Sequence, residues 1–158
     1  MTAATLSSQE LATLAHVVET FVPDADAAVV ARTIVRELEA VGRPKLVADL
    51  RLFLGVIDSA ALNLALAGRP LPFSRLERDR RERYLLSWAD SAVPLRRKAF
   101  QAVKRASLFF AYASAEAGAD RLWPKIGYER PPLLALPDDP TALLSRPTRD
   151  GETIEADA

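Results

Sequence analysis

The chain has 158 residues, 49% of them apolar, and its 21 basic residues balance its 21 acidic residues. This length predicts one domain that buries a core without covalent support, and the neutral total gives no general attraction to nucleic acid. The chain contains no cysteine, which excludes disulfides, thiolate metal sites and thiol nucleophiles.

The first helix is predicted to begin at Ser7 and to end before Pro23. Ser7-Ser-Gln-Glu10 has the pattern of a capping box, in which each of the two end residues accepts from the backbone amide of the other. Apolar residues then recur at helical spacing until Pro23 interrupts them. His16, the only histidine, falls between the apolar positions. We therefore expect its side chain to point to water and not to act as a general base.

Two further helices are predicted between Asp24 and Asp58. Asp24 or Asp26 can cap the second helix, and Gly42 can supply a left-handed residue at its end. Its apolar stripe comprises Val30, Ile34, Val35, Leu38 and Val41. Pro44 can open the third helix, whose apolar residues cover so much of its circumference that we expect a central position. These residues are Leu46, Val47, Leu50, Phe53, Leu54, Val56 and Ile57.

A short helix and a charged helix are predicted next. Alanines favour helix over strand in residues 60–67, and Gly68 closes that segment. Ser74-Arg-Leu-Glu77 has the pattern of a second capping box. The helix after it is expected to direct Leu76, Tyr84, Leu85, Trp88 and Ala92 inward. Its mixed charges predict a solvated face that does not suit nucleic acid, formed by Arg75, Arg78, Arg80, Arg81 and Arg83 with Glu77, Asp79 and Glu82.

A long helix is predicted from Pro94, which suits the first helical position, to about Ala117. It carries two adjacent apolar stripes, and we expect both to be buried. The first is rich in small residues that let another helix approach closely: Leu95, Ala99, Ala102, Ala106, Phe109 and Ala113. The second comprises Phe100, Val103 and Phe110.

An aromatic turn follows the long helix, with the sequence Trp123-Pro-Lys-Ile126-Gly-Tyr128. Two aromatic residues in a turn containing proline and glycine need a surface to pack on. One interpretation is that Trp123 and Tyr128 fold back onto the long helix as a lid. The other is that they form a rigid anchor for a partner, since aromatic residues are enriched at binding hot spots.

The sequence changes character near residue 132. From Leu133 onward six acidic residues face two basic ones, a net charge of −4, whereas residues 1–132 carry +4. This segment nevertheless contains more large aliphatic residues than a solvated linker holds. We expect Pro131, Leu133, Leu134 and Leu136 to lie extended on a partner, together with Trp123, Ile126 and Tyr128. The prediction is an all-α fold: one bundle of about five helices in residues 1–132 and an extended acidic tail in 133–158.

No motif of catalysis or cofactor binding is found in the sequence. There is no glycine-rich phosphate loop, dinucleotide fingerprint, metal-binding histidine pair or nucleophile elbow. A bundle that binds a small molecule would need a polar cluster inside it, which the stripes do not show. The pattern argues against an independent enzyme, so we expect no catalytic, cofactor-binding or metal-binding residues in this chain.

The order of several short motifs resembles one known family. The motifs are Leu6-Ser7, Phe21-Val22-Pro23, Pro72-Phe73-x-x-Leu76, Arg83-x-Leu85-Leu86-x-Trp88-x-x-Ser91, Arg97-x-Ala99-Phe100-x-x-x-Lys104, Phe110-x-Tyr112 and Trp123-Pro-x-Ile-Gly-Tyr128-x-x-Pro131. Over residues 6–132 the chain resembles the gluconate 2-dehydrogenase subunit 3 family, the small helical subunit of FAD-dependent alcohol and sugar dehydrogenases. It is also similar to the N-terminal helical domain of long-chain fatty alcohol oxidases.

The resemblance implies a non-catalytic accessory subunit that stabilises a large glucose-methanol-choline (GMC) flavoprotein oxidoreductase. FAD and the catalytic histidine would then belong to the large partner. The chain departs from many family members in having no twin-arginine signal, and its longest apolar region is too interrupted by charge for a membrane span. We therefore expect a cytoplasmic hetero-oligomer. The alternative is a free-standing helical adaptor or regulator that binds another protein.

Overall fold

The computed structural model describes residues 6–42, 44–67 and 71–128, and these residues form helices and turns with no strand among them. Seven α-helices follow one another: α1 Ser8–Phe21, α2 Ala27–Ala40, α3 Pro44–Asp58, α4 Ala60–Ala67, α5 Arg78–Ala89, α6 Pro94–Ala113 and α7 Ala119–Leu122. The all-α prediction is confirmed, with five long helices and two short ones. The predicted tail and Gly68 lie outside the described residues.

Helices α1 and α2 begin and end where the sequence predicts. The Ser7 amide donates to the Glu10 carboxylate at 2.7 Å, and the Glu10 amide donates to the Ser7 hydroxyl at 3.3 Å, so the capping box is present. Asp26 caps α2 by accepting from the amide of Val29 at 3.0 Å. Gly42 follows α2 with a φ of +67°, the left-handed conformation that glycine adopts without strain.

The central helix of the bundle is α1, not α3. Helix α1 packs against α2, α3, α5 and α6, and Leu14, Val17 and Val18 are fully buried in it. Helix α3 begins at Pro44 as predicted but leaves Leu46 and Leu52 exposed. Apolar residues all around a helix predict burial only if neighbours surround it, and α3 lies at the edge of this bundle.

Aromatic side chains join the other helices to this core. Phe53 of α3 meets Trp88 of α5 edge to face, with ring centroids 5.4 Å apart, and Phe21 of α1 meets Phe100 of α6 at 5.6 Å. Aromatic pairs prefer this arrangement because the positive ring edge faces the negative ring face. The largest side chains that are fully buried are Leu14, Leu54, Ile57, Phe73, Leu85 and Leu122.

The predicted capping box at Ser74 is wrong. Residues Phe73–Arg75 form a 3₁₀ turn, and α5 begins at Arg78 with Glu77 in the capping position and no side-chain cap. The Ser74 amide instead donates to the Asp58 carboxylate at 2.8 Å. This long-range bond competes with local capping and holds the chain in a turn at that point.

Arg81 does not belong to a solvated face. Its side chain is buried and donates to Glu19 Oε2 of α1 at 2.8 Å, while its Nε is buried without a hydrogen-bond partner. The Glu19 carboxylate also lies 3.4 Å from His16 Nδ1, and His16 is half-buried. A buried guanidinium needs such a partner because the loss of hydration is costly.

Ala92, predicted to point inward, lies beyond the end of α5 and is exposed.

Only one face of α6 is buried, so the expectation that both stripes are covered is wrong. The buried face comprises Phe100, Val103, Ser107 and Ala111. Leu95 and Phe109 of the first stripe are 70% and 64% exposed. Helix α6 packs on α1, α2 and α5 from one side, and a peripheral helix hides only the side that meets its neighbours.

Candidate partner-binding turn

The aromatic turn is built by two glycines that reverse the chain after α6. Helix α6 ends at Ala113, earlier than predicted, and a 3₁₀ turn over Ala115–Ala117 follows. Gly118 and Gly127 have φ angles of +83° and +70°, a region that side chains with a Cβ avoid. Between them lie α7 and a third 3₁₀ turn, Trp123–Ile126. The glycines therefore hold this segment compactly against the end of α6.

Trp123 fastens the turn to α6. Its indole N–H donates to the carbonyl oxygen of Tyr112 at 2.8 Å, and its side chain is half-buried. The ring of Tyr128 meets the Trp123 ring edge to face at 5.4 Å, and the Tyr128 amide donates to the Trp123 carbonyl oxygen at 3.0 Å. Trp123 therefore packs as the lid interpretation predicts.

Ile126 and Tyr128 present apolar surface to solvent. Ile126 is 59% exposed and Tyr128 is 46% exposed. Ala119 and Leu122 of α7, which precede them in the chain, are buried. The three residues of the predicted anchor therefore differ in the structure: Trp123 packs on α6, and Ile126 and Tyr128 are exposed. The other predicted contact residues, Pro131, Leu133, Leu134 and Leu136, lie outside the described residues.

Two long-range contacts join the segment after α6, which includes the turn, to the loop between α1 and α2. Lys125 Nζ lies 2.7 Å from the Asp24 carboxylate, and the Asp26 amide donates to the carbonyl oxygen of Ala117 at 3.3 Å. The hydrogen bond and the charge of Lys125 lower the pKa of Asp24. Both side chains of the ion pair are more than half exposed, so the pair contributes little to the free energy of unfolding. Its effect is to position the turn. No local pattern marks this pair, because about a hundred residues separate its members.

A polar cluster does lie inside the bundle, contrary to the expectation from the stripes. The amide of Asn63 donates to the carbonyl oxygens of Ile57 and Leu71 at 2.8 and 3.0 Å, and its Oδ1 accepts from the Tyr84 hydroxyl at 2.6 Å. Burial raises the pKa of Tyr84. Every polar atom of the Asn63 amide is thus engaged within the fold, which is typical of a structural role.

Asp58 forms a second polar centre, at a cleft of about 210 Å³ between α1 and α3. Its carboxylate accepts from the Ser74 amide and from the Thr13 hydroxyl at 2.8 and 3.2 Å. Gln9 lies at 3.4 Å from the same carboxylate. These bonds join three segments of the chain. Because the Asp58 carboxylate forms them within the fold, its arrangement is typical of a structural role.

Among residues 6–42, 44–67 and 71–128, no group of three or more histidine and acidic side chains is placed to hold a metal ion. Within the same ranges, no helix is both long enough and apolar enough to span a membrane. The feature of the described surface that best suits recognition is the braced turn with Ile126 and Tyr128.

Comparison of the chain with protein-family models, with curated proteins and with solved structures found no match.

Proposed function

We propose that this chain is a non-catalytic helical subunit that binds a larger protein through its aromatic turn. The proposal rests on the arrangement of three side chains in the turn. Trp123 is hydrogen-bonded to α6, and Ile126 and Tyr128 on the same segment are exposed to solvent. A residue already held in place loses little conformational entropy on binding. Large apolar side chains on a rigid support are typical of interface hot spots.

The proposed partner is the FAD-dependent large subunit of a GMC-type alcohol or sugar oxidoreductase, in a cytoplasmic complex. This part of the proposal rests on the ordered sequence motifs that resemble the gluconate 2-dehydrogenase subunit 3 family. The flavin would be held by the partner, and this chain would stabilise the complex. In the part of the chain that the structure describes, the side chains of Asn63, which is buried, and Asp58, which is half-buried, form hydrogen bonds within the fold.

The test is co-expression of the tagged chain with the product of the neighbouring gene, followed by affinity purification. We expect a large yellow partner whose flavin absorbance is recovered in a fixed ratio to the tagged chain. The double variant Ile126→Ser/Tyr128→Ser should lose most of that absorbance. Leu52→Ser is the matched control, because Leu52 is an equally exposed apolar residue on α3. Thermal melts of both variants would establish that they are folded.

Recovery of a colourless chain without a large partner would contradict the proposal. A flavin-free partner whose binding depends on Ile126 and Tyr128 would assign the adaptor role instead. Equal loss of flavin in the Leu52→Ser control would show that the turn is not the contact.

A further inference from the structure

Helix α6 carries a long apolar stripe whose large residues are exposed, while two of its alanines pack partly against the core. The face is formed by the residues of the small-residue stripe: Leu95, Ala99, Ala102, Ala106, Phe109 and Ala113. Leu95 and Phe109 are its most exposed large residues, Ala102 and Ala113 are also exposed, and Ala99 and Ala106 are half-buried. The residues recur at alternating intervals of four and three, the spacing of a helix-pairing seam. From Leu95 to Ala113 the seam is about 27 Å long at ~1.5 Å per residue.

The charges of α6 are all of one sign. The helix contains five basic residues and no acidic residue. Three of the five are engaged within the domain: Arg96 lies over the Trp88 ring, Lys104 lies over the Phe100 ring, and Arg97 donates to the Ser91 carbonyl oxygen. The remaining two, Lys98 and Arg105, are exposed and form no ion pair within the described ranges.

Lys98 and Arg105 lie along one edge of the seam. They are seven residues apart and each follows a seam residue by three positions, which places them on the same side of the helix. In a heptad pattern this edge corresponds to the flanking position whose charge selects the partner. The opposite edge contains Val103, which is buried, and Phe110, which is half-buried. Arg96 is also on this opposite edge and lies over the Trp88 ring, so every charge that a helix on the seam would meet is positive.

We propose that this seam binds an amphipathic helix of a partner protein whose flanking residues are acidic. The exposed alanines of the seam, Ala102 and Ala113, permit close approach of the two helix axes, and Leu95 and Phe109 supply apolar contact. Acidic residues on the partner pair with Lys98 and Arg105. A second copy of this chain is a poor occupant, because an antiparallel pair would place these cations against their own copies. The inference does not depend on the identity of the partner proposed for the aromatic turn.

The test uses two labelled helical peptides about three heptads long with the same leucine seam, one with glutamate at the flanking positions and one with lysine. Fluorescence anisotropy with the full chain measures both affinities. We expect the acidic peptide to bind at least ~10-fold more tightly than the basic one, and added salt to narrow the difference. Lys98→Glu/Arg105→Glu should reverse that preference.

Two further variants separate the seam from general charge attraction. Ala102→Gln puts a longer side chain in the middle of the seam without changing the net charge. It should weaken the affinity of the chain for the acidic peptide by about tenfold. Arg80→Glu/Arg83→Glu makes the same charge change on exposed positions of α5 and should leave the preference intact. All of these residues are exposed, so thermal melts should stay close to that of the unmodified chain.

Equal affinity for the two peptides, or equal effects of the α5 and α6 charge reversals, would overturn the proposal. Self-association in analytical ultracentrifugation that Ala102→Gln abolishes would assign the face to a second copy. Tighter peptide binding after Asp138→Asn/Asp139→Asn in the full chain would assign it to the chain's own acidic segment. Failure of these peptides to bind, with flavin co-purification retained, would leave the proposed function standing and remove this inference alone.

Discussion

The indole N–H of Trp123 donates to the carbonyl oxygen of Tyr112 at 2.8 Å, so the aromatic turn is fastened to the last helical turn of α6. That carbonyl is one of the last four of the helix, which have no partner within it. Trp123 therefore completes the end of α6 while it positions Ile126 and Tyr128. The lid interpretation describes Trp123, whereas the side chains of Ile126 and Tyr128 are exposed.

Trp123→Phe should destabilise the chain by about 1 kcal/mol, because it keeps an aromatic ring and removes the hydrogen-bond donor. Ile126→Ser should change stability by less than ~0.5 kcal/mol, because that side chain is mainly in water. Urea denaturation followed by circular dichroism measures both free energies of unfolding. Equal destabilisation by the two changes would mean that Ile126 supports the fold and is not held for a partner.

The buried pair of Tyr84 and Asn63 should show energetic coupling. Tyr84→Phe leaves one acceptor unpaired and should cost about 1 kcal/mol, whereas Asn63→Leu leaves the Tyr84 hydroxyl and two carbonyl oxygens unpaired and should cost ~2–4 kcal/mol. In the double variant the two costs should not add, because both changes remove the same 2.6 Å bond. Additive free energies of unfolding in a double-mutant cycle would contradict this.

Glu19→Gln should reduce the dependence of stability on pH in acid. The hydrogen bond from Arg81 is the main cause that lowers the pKa of Glu19 below its ordinary value of 4.5, against the opposing effect of burial. A carboxyl whose pKa is lowered by folding contributes stability that is present above its ordinary pKa and is lost as the pH falls through its folded pKa. The unmodified chain should therefore lose more stability than the variant when the pH falls from about 7 to about 3.

Denaturation with guanidinium chloride at a series of pH values measures the free energy of unfolding of both proteins. Glu10 and Asp24, whose pKa values are also lowered, remain in both proteins, so the variant keeps part of the acid dependence. Glu39→Gln is the matched control, because Glu39 is exposed on α2. An acid dependence in Glu19→Gln as steep as that of the Glu39 control would show that the pair with Arg81 contributes nothing.

Alanine substitutions at two glycines should have opposite effects. Gly55 lies inside α3 with open space around the position of a Cβ, so Gly55→Ala should stabilise the chain by about 0.5–1 kcal/mol through a smaller loss of backbone entropy. Gly127 also has open space but a φ of +70°, so Gly127→Ala should destabilise by about 1–2 kcal/mol. Thermal and urea unfolding of the two variants compares them directly. Changes of the same sign would contradict the assigned backbone conformation of Gly127.

Local signals predicted where most of the helices begin and end. The capping box at Ser7, the cap at Asp26, the left-handed Gly42 and the first-position prolines Pro44 and Pro94 all act within one helical turn. The same reasoning failed at Ser74, because the Asp58 carboxylate, distant in sequence, takes the amide into a turn. A local pattern is reliable only when no tertiary contact competes for its groups.

The burial of particular side chains was harder to predict. Arg81 lies in a run of alternating charges that is typical of a wet surface, yet its guanidinium is buried against Glu19 of α1. Leu95 and Phe109 lie in an apolar stripe that is typical of a core, yet they are exposed. In each case the periodicity shows on which face of its helix a residue lies. Whether a neighbouring helix packs on that face decides if the residue is buried.

The sequence by itself determined that the chain is all-α, since capping residues, helix-breaking prolines and apolar periodicity act between residues close in the chain. It also placed an aromatic turn after the long helix that begins at Pro94. Only the tertiary structure decided that α1 is the central helix, that Trp123 is the brace and Ile126 and Tyr128 the presented residues, and that one face of α6 stays open. These depend on packing and hydrogen bonds between segments far apart in sequence, which no local pattern encodes.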